Sequence, residues 1–389
     1  MPRCDSSNPS RQRALCSPRV ECGGLLIAYA VASVGWPRVV QSQVATAIPD
    51  AASCERCRIL TRPSMTLQPN ARGDGLVLQP PNAIIEDAQR RIWVLGDAPM
   101  QIFAADGMFQ RVVGAKGRGP NEYVMPIHVA HVNGDSLVVF DAMSGRTTVL
   151  DKNLVARRNV VFPYLGVRGA AILRWPDSVV VSGWIRTTAS AGYPLHLMSF
   201  RGNDALPFRS FGSSDGKLRM EQQFEPTALI TIALDGRPIS IDPLQYEISV
   251  WRRDGSLLER FARSPAWFSK RSRNTIGGPV TAPSPMIAAI SVDDQGLCWV
   301  FAHVPSRHWQ RAWEGVKTRS SEVAASSVDF TELYDTQLEI LDLGKRRVVA
   351  RALLEGRTAS VLTGSRVVLQ ANDAGGNPTL RVVPLVLSR

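Results

Sequence analysis

The sequence predicts an all-β fold, a six-bladed β-propeller of four-stranded antiparallel blades whose last blade is closed by an N-terminal strand. Three observations support this prediction. Short β-rich segments bounded by Gly, Pro, Asn and Asp recur after residue 58, and no long segment there has the 3.6-residue apolar period of a helix. The segments recur as a four-strand unit, and the last unit lacks its fourth strand.

The composition is that of a folded protein. The 389 residues are 44% hydrophobic and 20% charged, with 30 Gly and 26 Pro, which excludes collagen, coiled coil and disorder as classes. The 45 basic residues are six Lys and 39 Arg spread along the chain, so the net charge of +11 indicates a general bias toward Arg rather than a nucleic-acid-binding stripe. We therefore expect no nucleic-acid partner.

Residues 1–47 are predicted to be a signal peptide and processing region. Four Arg residues precede the apolar segment 23–36, and Ala45-Thr46-Ala47 matches the small-x-small pattern at which secretory signals are cleaved. The apolar segment is shorter than the roughly 20 residues of a transmembrane helix. Cleavage after Ala47 is favoured over an uncleaved anchor or a misassigned start. We expect an extracytoplasmic protein, periplasmic or secreted, with no stable membrane span.

Three cysteines follow residue 47. Cys54 and Cys57 form a CxxC pattern, for which a structural disulfide is favoured over redox-active or metal-bound thiols. Haem attachment would need His at position 58, where the sequence has Arg58. A zinc site would need a second CxxC or a His pair, and the sequence has neither. Cys298 lies in an apolar strand and is expected in the core.

The blades are predicted in residues 48–389, each from a small apolar strand, a second strand and a hairpin. They are placed at residues 82–114, 127–161, 169–211, 227–262, 286–353 and 359–389. Asp106-Gly107 and Asp254-Gly255 separate the third and fourth strands of blades 1 and 4, and Asp-Gly between alternating strands is a strong hairpin signal. The first strands are rich in Ala, Ile and Val, which suits strands crowded around a central channel.

The sixth blade is predicted to borrow its fourth strand. The chain ends after three strands of this blade, and residues 58–67 form an unassigned strand at the other end of the propeller region. Closing the ring in this way removes an open sheet edge, which is otherwise a liability for association.

Residues 114–123, of sequence GAKGRGPNEY, carry a family resemblance. With Pro126 they resemble the inter-blade motif of NHL-type six-bladed propellers, and the CxxC followed by Arg58-Ile59 resembles the start of exported bacterial six-bladed propeller proteins of uncharacterised role. The resemblance covers residues 54–389. It implies the propeller fold and export, but no single activity, because propellers host many functions.

The candidate site lies in long loops on one face of the predicted propeller. Loops from the second to the third strand and from the fourth strand to the next blade emerge there, and two of them are both basic and aromatic. Their predicted ligand-binding residues are Trp267, Arg271 and Arg273 in loop 263–285, and Arg307, His308, Trp309, Arg311 and Trp313 in loop 305–336. Arg can bind carboxylate, sulfate or phosphate, and Trp offers a flat surface to sugar rings. The alternative is that these loops merely share the Arg bias and pack their Trp residues on the rim.

The leading hypothesis is a monomeric binding module for a protein partner or an anionic, glycan-like ligand, with no cofactor. No nucleophile-base pair or metal motif is readable, and His128 and His131, three apart on a strand, should point to opposite faces. The rival is a lactonase-like hydrolase or lyase that binds calcium or another divalent cation at the channel mouth, as some related six-bladed propellers do. The acidic groups considered for it are Glu86, Asp97, Asp141 and Asp242.

Overall fold

Six antiparallel sheets form a closed ring in the computed structural model of the protein. The structure describes residues 44–69, 81, 83–96, 99–132, 136–141, 144–161, 164–172, 178–185, 193–199, 206–212, 228–270, 277–314, 328–372 and 378–389. Each sheet contains four blade strands, and two sheets carry additional strands from the N-terminal segment. The predicted all-β six-bladed propeller is therefore confirmed.

The strands follow one another around the ring in chain order. Three short strands come first: β1 (Thr46–Ala47), β2 (Arg58–Thr61) and β3 (Met65–Thr66). Blade 1 contains β4 (Ala83–Glu86), β5 (Ile92–Leu95), β6 (Met100–Phe103) and β7 (Phe109–Val113), and the pair β8 (Ala115–Lys116) and β9 (Glu122–Tyr123) links it to blade 2. Blade 2 contains β10 (Pro126–Val132), β11 (Ser136–Asp141), β12 (Arg146–Leu150) and β13 (Ala156–Val161). Blade 3 contains β14 (Tyr164–Ile172), β15 (Ser178–Ile185), β16 (Leu195–Ser199) and β17 (Leu206–Phe211).

The second half of the ring repeats the pattern. Blade 4 contains β18 (Leu229–Ile232), β19 (Pro238–Asp242), β20 (Glu247–Trp251) and β21 (Leu257–Ala262). Blade 5 contains β22 (Met286–Val292), β23 (Cys298–Pro305), β24 (Tyr334–Asp342) and β25 (Arg347–Leu354). Blade 6 contains β26 (Arg357–Leu362), β27 (Arg366–Asn372) and β28 (Pro378–Ser388), completed by β2. In the described residues no helix is long and apolar enough to cross a bilayer.

Blade 3 begins earlier than the sequence predicts. Its first strand starts at Tyr164 rather than at residue 169, and the pairing with β15 shifts register between Tyr164 and Gly166 and again between Val167 and Gly169. Glycines inside a strand weaken its β signal and often mark such irregularities. The glycines therefore hid the start of this strand from the sequence analysis.

The hydrophobic core is divided among the six contacts between neighbouring blades. Between blades 4 and 5, for example, Ile241 and Ile248 pack in one cluster with Val300. Between blades 6 and 1, where the ring closes, Leu380 packs with Ile84 and Ile92. Because each sheet buries apolar residues on both faces, every blade depends on both neighbours, as in face-to-face sheet packing.

The first strand of every blade lines a central channel. These strands, β4, β10, β14, β18, β22 and β26, contact one another in ring order. The channel holds a cavity of about 740 Å³ lined mainly by Ala, Ile, Val, Ser and Thr. Glu86 and His128 are the ionisable groups among its described lining residues. The wall is thus made mainly of small and branched residues, as the composition of the first strands predicted, and the described part of it is largely neutral.

The predicted closing strand is present, although it is divided. Strand β2 pairs antiparallel with β28, with Arg58 opposite Ser388, and β3 adds a second short pairing at Val382. The interruption falls at Pro63, which has no N–H to donate to a sheet ladder.

Residues 46–68, here called the outer belt, follow the outer edges of four consecutive blades. Strand β1 pairs in parallel with β21 of blade 4, and Ala52 forms a bridge with Val348 of blade 5. The belt then completes blade 6 through β2, and Gln68 bridges Met108 beside β7 of blade 1. The sequence analysis assigned Thr46 and Ala47 to the processing region, and cleavage after Ala47 stays a prediction.

A buried ion-pair network fixes the start of the outer belt. The Arg263 side chain is fully buried and donates to both carboxylate oxygens of buried Glu339, at 2.8 and 3.0 Å from Nη2. It also donates to Asp50 and to the carbonyl oxygen of Ile48. Arg351 bridges the same two carboxylates from the edge of blade 5. The outer belt, blade 4 and blade 5 are therefore joined by one ion-pair network.

Two blades fix the turn after their first strand with an Asp-Trp pair. In blade 5, Asp293 accepts the Trp299 indole N–H at 2.8 Å and the Leu297 amide at 2.8 Å. In blade 1, Asp87 accepts the indole N–H of Trp93 at 2.9 Å in the same arrangement. Both indoles are buried, so loss of the acceptor leaves a buried donor unpaired.

We expect Asp293→Ala to lower the free energy of unfolding by about 2 kcal/mol, because a buried indole N–H and a turn amide lose their acceptor. Chemical denaturation measures this change. Asp235→Ala in the corresponding turn of blade 4 is the matched control, since among the described residues the Asp235 carboxylate accepts hydrogen bonds from Arg237 in an exposed turn and from no buried group. Equal losses for the two variants would contradict the role given to the indole.

Candidate functional site

The most elaborate loop of the described chain joins β23 to β24 of blade 5. This blade 5 excursion spans residues 306–333 and is described at 306–314 and 328–333, which contain a 3₁₀ helix (Trp309–Trp313) and a short helix, α1 (Phe330–Leu333). The Asp329 side chain caps α1 by accepting the Thr331 amide at 2.8 Å. The excursion has its own apolar cluster, formed by Trp309, Ala312, Trp313, Val328, Phe330, Leu333 and Tyr334.

The excursion separates its predicted ligand-binding residues into two groups. Arg307, His308 and Arg311 are exposed, and Arg307 forms a surface ion pair with Glu355 at 3.4 Å. Trp313 is buried in the apolar cluster, with its indole N–H lacking a partner within the described residues. Trp309 is half-buried against the same cluster. The basic groups therefore face solvent on a support that the tryptophans help to build.

The second predicted loop contributes an aromatic cluster over blade 4. Trp267 packs against Phe268 and Tyr246, with ring centroids 5.6 and 5.9 Å apart. Arg271 and Arg273 lie outside the described residues. Trp267 belongs to the core between blades 4 and 5, whereas Trp309 and Trp313 belong to the cluster of the excursion. Within the described contacts, the two loops do not form one aromatic site.

The sequence analysis missed Arg357, which lies beneath the excursion at the first position of β26. Its guanidinium carbon lies 5.5 Å from the centre of the Phe330 ring, and its Nη1 donates to Gln370 Oε1 at 3.1 Å. Nε is buried and has no acceptor among the described residues. Burial lowers the pKa of Arg357. The sequence signal that could have identified Arg357 is its position as a basic residue at the start of β26, an inner strand otherwise rich in small residues.

Two buried groups surround this arginine. The His303 ring stacks on Tyr334 at 5.3 Å between centroids, and its Nε2 lies 2.9 Å from the Thr358 carbonyl oxygen. Burial, reinforced by the charge of Arg357, lowers the pKa of His303 to about 3. His303 is therefore neutral at pH 7 and contributes no charge beside Arg357.

The inter-blade motif is folded on itself. The Glu122 carboxylate accepts the Gly119 amide at 2.6 Å, and Arg146 donates to the carbonyl oxygens of both residues. Burial raises the pKa of Tyr123 to about 12. These groups hold the link between blades 1 and 2 and offer no evident ligand site.

The described carboxylates considered for the rival metal enzyme are all engaged within the protein. Glu86 is ion-paired with Arg90 and Arg366. Asp141 accepts the amides of residues 124 and 125, and Asp242 caps the turn at residues 244–245. Asp97 lies outside the described residues. In the part of the chain that the structure describes, no group of three or more His, Cys, Asp or Glu side chains could hold a metal ion.

The cysteines take structural positions. Cys54 and Cys57 are joined by a disulfide within the outer belt, with their Cα atoms 5.3 Å apart. Cys298 is fully buried, as expected, and burial raises the pKa of its thiol to about 12.

Comparison with known proteins identifies the fold. No protein-family profile and no curated protein sequence matches the chain. Among solved structures, a member of the DUF4221 family from Bacteroides vulgatus superposes with a TM-score of 0.59 at 8% identity, covering 86% of this chain and 99% of the other. A predicted exported protein from Bacteroides fragilis superposes with a TM-score of 0.54 at 11% identity, covering 88% of this chain and all of the other. At such low identity the likeness shows the fold alone, and the NHL-type resemblance stays a prediction.

Proposed function

We propose that this protein is an extracytoplasmic propeller binding module that recognises an anionic, glycan-like ligand over blades 5 and 6. The observation that carries the proposal is the blade 5 excursion, which buries its apolar side and presents Arg307, His308 and Arg311 to solvent. Guanidinium groups held on a supported loop suit carboxylate or sulfate, because charge-assisted hydrogen bonds to these groups are strong and directional.

Three observations support the extracytoplasmic location. The N-terminal segment has the pattern of a secretory signal. The Cys54–Cys57 disulfide suits an oxidising compartment, since disulfides are rare in the cytosol. The structural neighbour from Bacteroides fragilis is a predicted exported protein.

The exposed chemistry favours an anionic ligand over a protein partner. Protein interfaces concentrate their binding energy in accessible aromatic anchors together with Arg. Here Trp313 is buried and Trp309 is half-buried, so the accessible groups of the excursion are mainly charged. Failure to bind every polyanion in the test below would leave a protein partner with an acidic surface as the alternative.

The experiment measures binding of the purified full-length protein to polygalacturonate and dextran sulfate, with neutral dextran as the uncharged comparison. We expect salt-sensitive binding to at least one polyanion. The double variant Arg307→Ala, Arg311→Ala should bind at least about tenfold more weakly, since each charge-assisted bond contributes on the order of 1 kcal/mol.

The matched control removes two positive charges from the opposite face. Arg252 and Lys345 are exposed beside the hairpin turns of blades 4 and 5, so the double variant Arg252→Ala, Lys345→Ala should bind as the unmodified protein does. Equal weakening by both double variants would mean that net charge alone drives binding. Absence of binding to either polyanion would reject an anionic ligand.

A further inference from the structure

The start of the outer belt is built into the propeller. Strand β1 pairs in parallel with β21, with Thr46 opposite Phe261 and Ala47 opposite Ala262. The Ile48 amide continues this pairing by donating to the Ala262 carbonyl oxygen at 3.1 Å. The two residues of β1 therefore cover the outer edge of blade 4, and an uncovered sheet edge is a liability for association.

Packing and hydrogen bonds fix the residues that follow β1. Ile48 is buried in the core cluster between blades 4 and 5. Arg263 donates from Nη1 to the carbonyl oxygens of Ile48 and Pro49, at 3.0 Å each. Val44, by contrast, is 90% exposed. In the described chain, the pairing that attaches the belt to the propeller begins at Thr46.

Cleavage after Ala47 would disturb this arrangement in two ways. It would remove both residues of β1 and uncover the edge of β21. It would also create an α-amino group at Ile48, and such groups carry a positive charge over most of the range below about pH 8. The ion-pair network around Arg263 contains two arginines and two carboxylates. An ammonium group beside Arg263 would add a third positive charge, which like-charge repulsion disfavours.

The length of the predicted signal also favours a cut nearer the N-terminus. Secretory signals span about 15–30 residues, with the cleavage site after a short apolar segment. A cut after Ala47 would remove residues 1–47, well beyond that range. Ala30-Val31-Ala32 carries the same small-x-small pattern. Cleavage there would leave β1 and all its contacts in place.

We propose that the signal is cleaved before Val44 and that Ala45-Thr46-Ala47 is retained in the mature protein as part of the propeller. The inference rests on the extracytoplasmic location in the proposed function and does not depend on the ligand. It gives this segment a structural role at the edge of blade 4 in place of a role in processing.

The test is N-terminal sequencing and intact-mass measurement of the protein, expressed from residue 1 in a bacterial host and recovered from the exported fraction. We expect the first residue to lie at or before Val44. A first residue at Ile48 would overturn the inference. Exported protein with the mass of residues 1–389 would overturn it as well, because the signal would then be an uncleaved anchor.

Substitutions at Ala47 test the same point independently. Its side chain is exposed, so the fold should tolerate a larger residue there. Signal cleavage needs a small residue immediately before the cut. We therefore expect Ala47→Leu to be processed to the same first residue, and to the same extent, as the matched control Ala47→Ser. Accumulation of uncleaved precursor in Ala47→Leu, but not in Ala47→Ser, would place the cut after Ala47 and refute the inference.

The location and the binding of the protein separate this inference from the proposed function. If exported protein binds polyanions but begins at Ile48, the proposed function stands and the inference alone fails. If exported protein begins at or before Val44 but binds neither polyanion, the inference stands and the anionic ligand is rejected. Protein confined to the cytoplasm would reject the extracytoplasmic location and the inference with it.

Discussion

Glu339→Gln is expected to lower the free energy of unfolding by about 3–5 kcal/mol, because breaking one partner of a buried ion pair leaves an uncompensated charge. Glu339 is almost fully buried and accepts hydrogen bonds from Arg263, Arg351 and the Tyr246 hydroxyl, the last at 2.5 Å. Burial, together with the neighbouring Glu339 charge, raises the pKa of Tyr246 well above its ordinary value, so this hydroxyl remains a donor. The substitution keeps the side-chain size and removes only the charge.

Chemical denaturation would measure the loss, and hydrogen exchange would locate it. The Ile48 amide donates to the Ala262 carbonyl oxygen at 3.1 Å. It should exchange faster once Glu339 no longer fixes Arg263, because Arg263 holds the belt through Asp50 and the carbonyl oxygens of Ile48 and Pro49. Asp342→Asn on the same strand is the matched control, since its ion pairs with Lys345 and Arg347 are longer and near the surface. That variant should lose less than about 1 kcal/mol. Comparable losses for the two variants would refute the importance of the buried network.

Acidification should destabilise the protein by about 5 kcal/mol between roughly pH 7.5 and pH 4.5, through two buried histidines. Burial lowers the pKa of His196 to about 4 and that of His303 to about 3. In the unfolded chain both imidazoles bind protons near pH 6.5. As the pH falls below 6.5, protons bind to the unfolded state first, so stability is lost from that point down to the folded pKa values.

The measurement is the free energy of unfolding as a function of pH. His303→Gln should reduce the slope in this window by about half, whatever its effect at neutral pH, because one of the two linked protons is removed. His308→Gln serves as the control, since His308 is exposed and should leave the slope unchanged. A flat profile between pH 6.5 and pH 4.5 would show that neither buried histidine resists protonation.

The architecture was readable from the sequence because its signals are local. Alternating strands, Asp-Gly turns and a final unit short of one strand define blades through residues that are close in the chain. Gly107 and Gly255, for example, have φ angles of +89° and +79° in the predicted hairpin turns. The closing strand was also predictable, because the last unit has three strands where the others have four. Its pairing of Arg58 with Ser388 nevertheless spans most of the chain.

The candidate site was less readable because its properties depend on burial. Sequence alone could not distinguish exposed Arg311 from buried Trp313 two residues later, because the 3₁₀ helix turns them to different sides. Nor could it pair Arg263 with Glu339. Each statement requires the distances between segments that only the folded ring brings together.

The outer belt also sets the order in which the molecule can be completed. Strand β2 is made early in synthesis, but its partner β28 ends one residue before the last residue of the sequence. Blades 1 to 5 can form local hairpins as they emerge, whereas ring closure must await nearly the whole chain. Loss of β28 would therefore leave β2 without its partner and blade 6 open, even with every other blade intact.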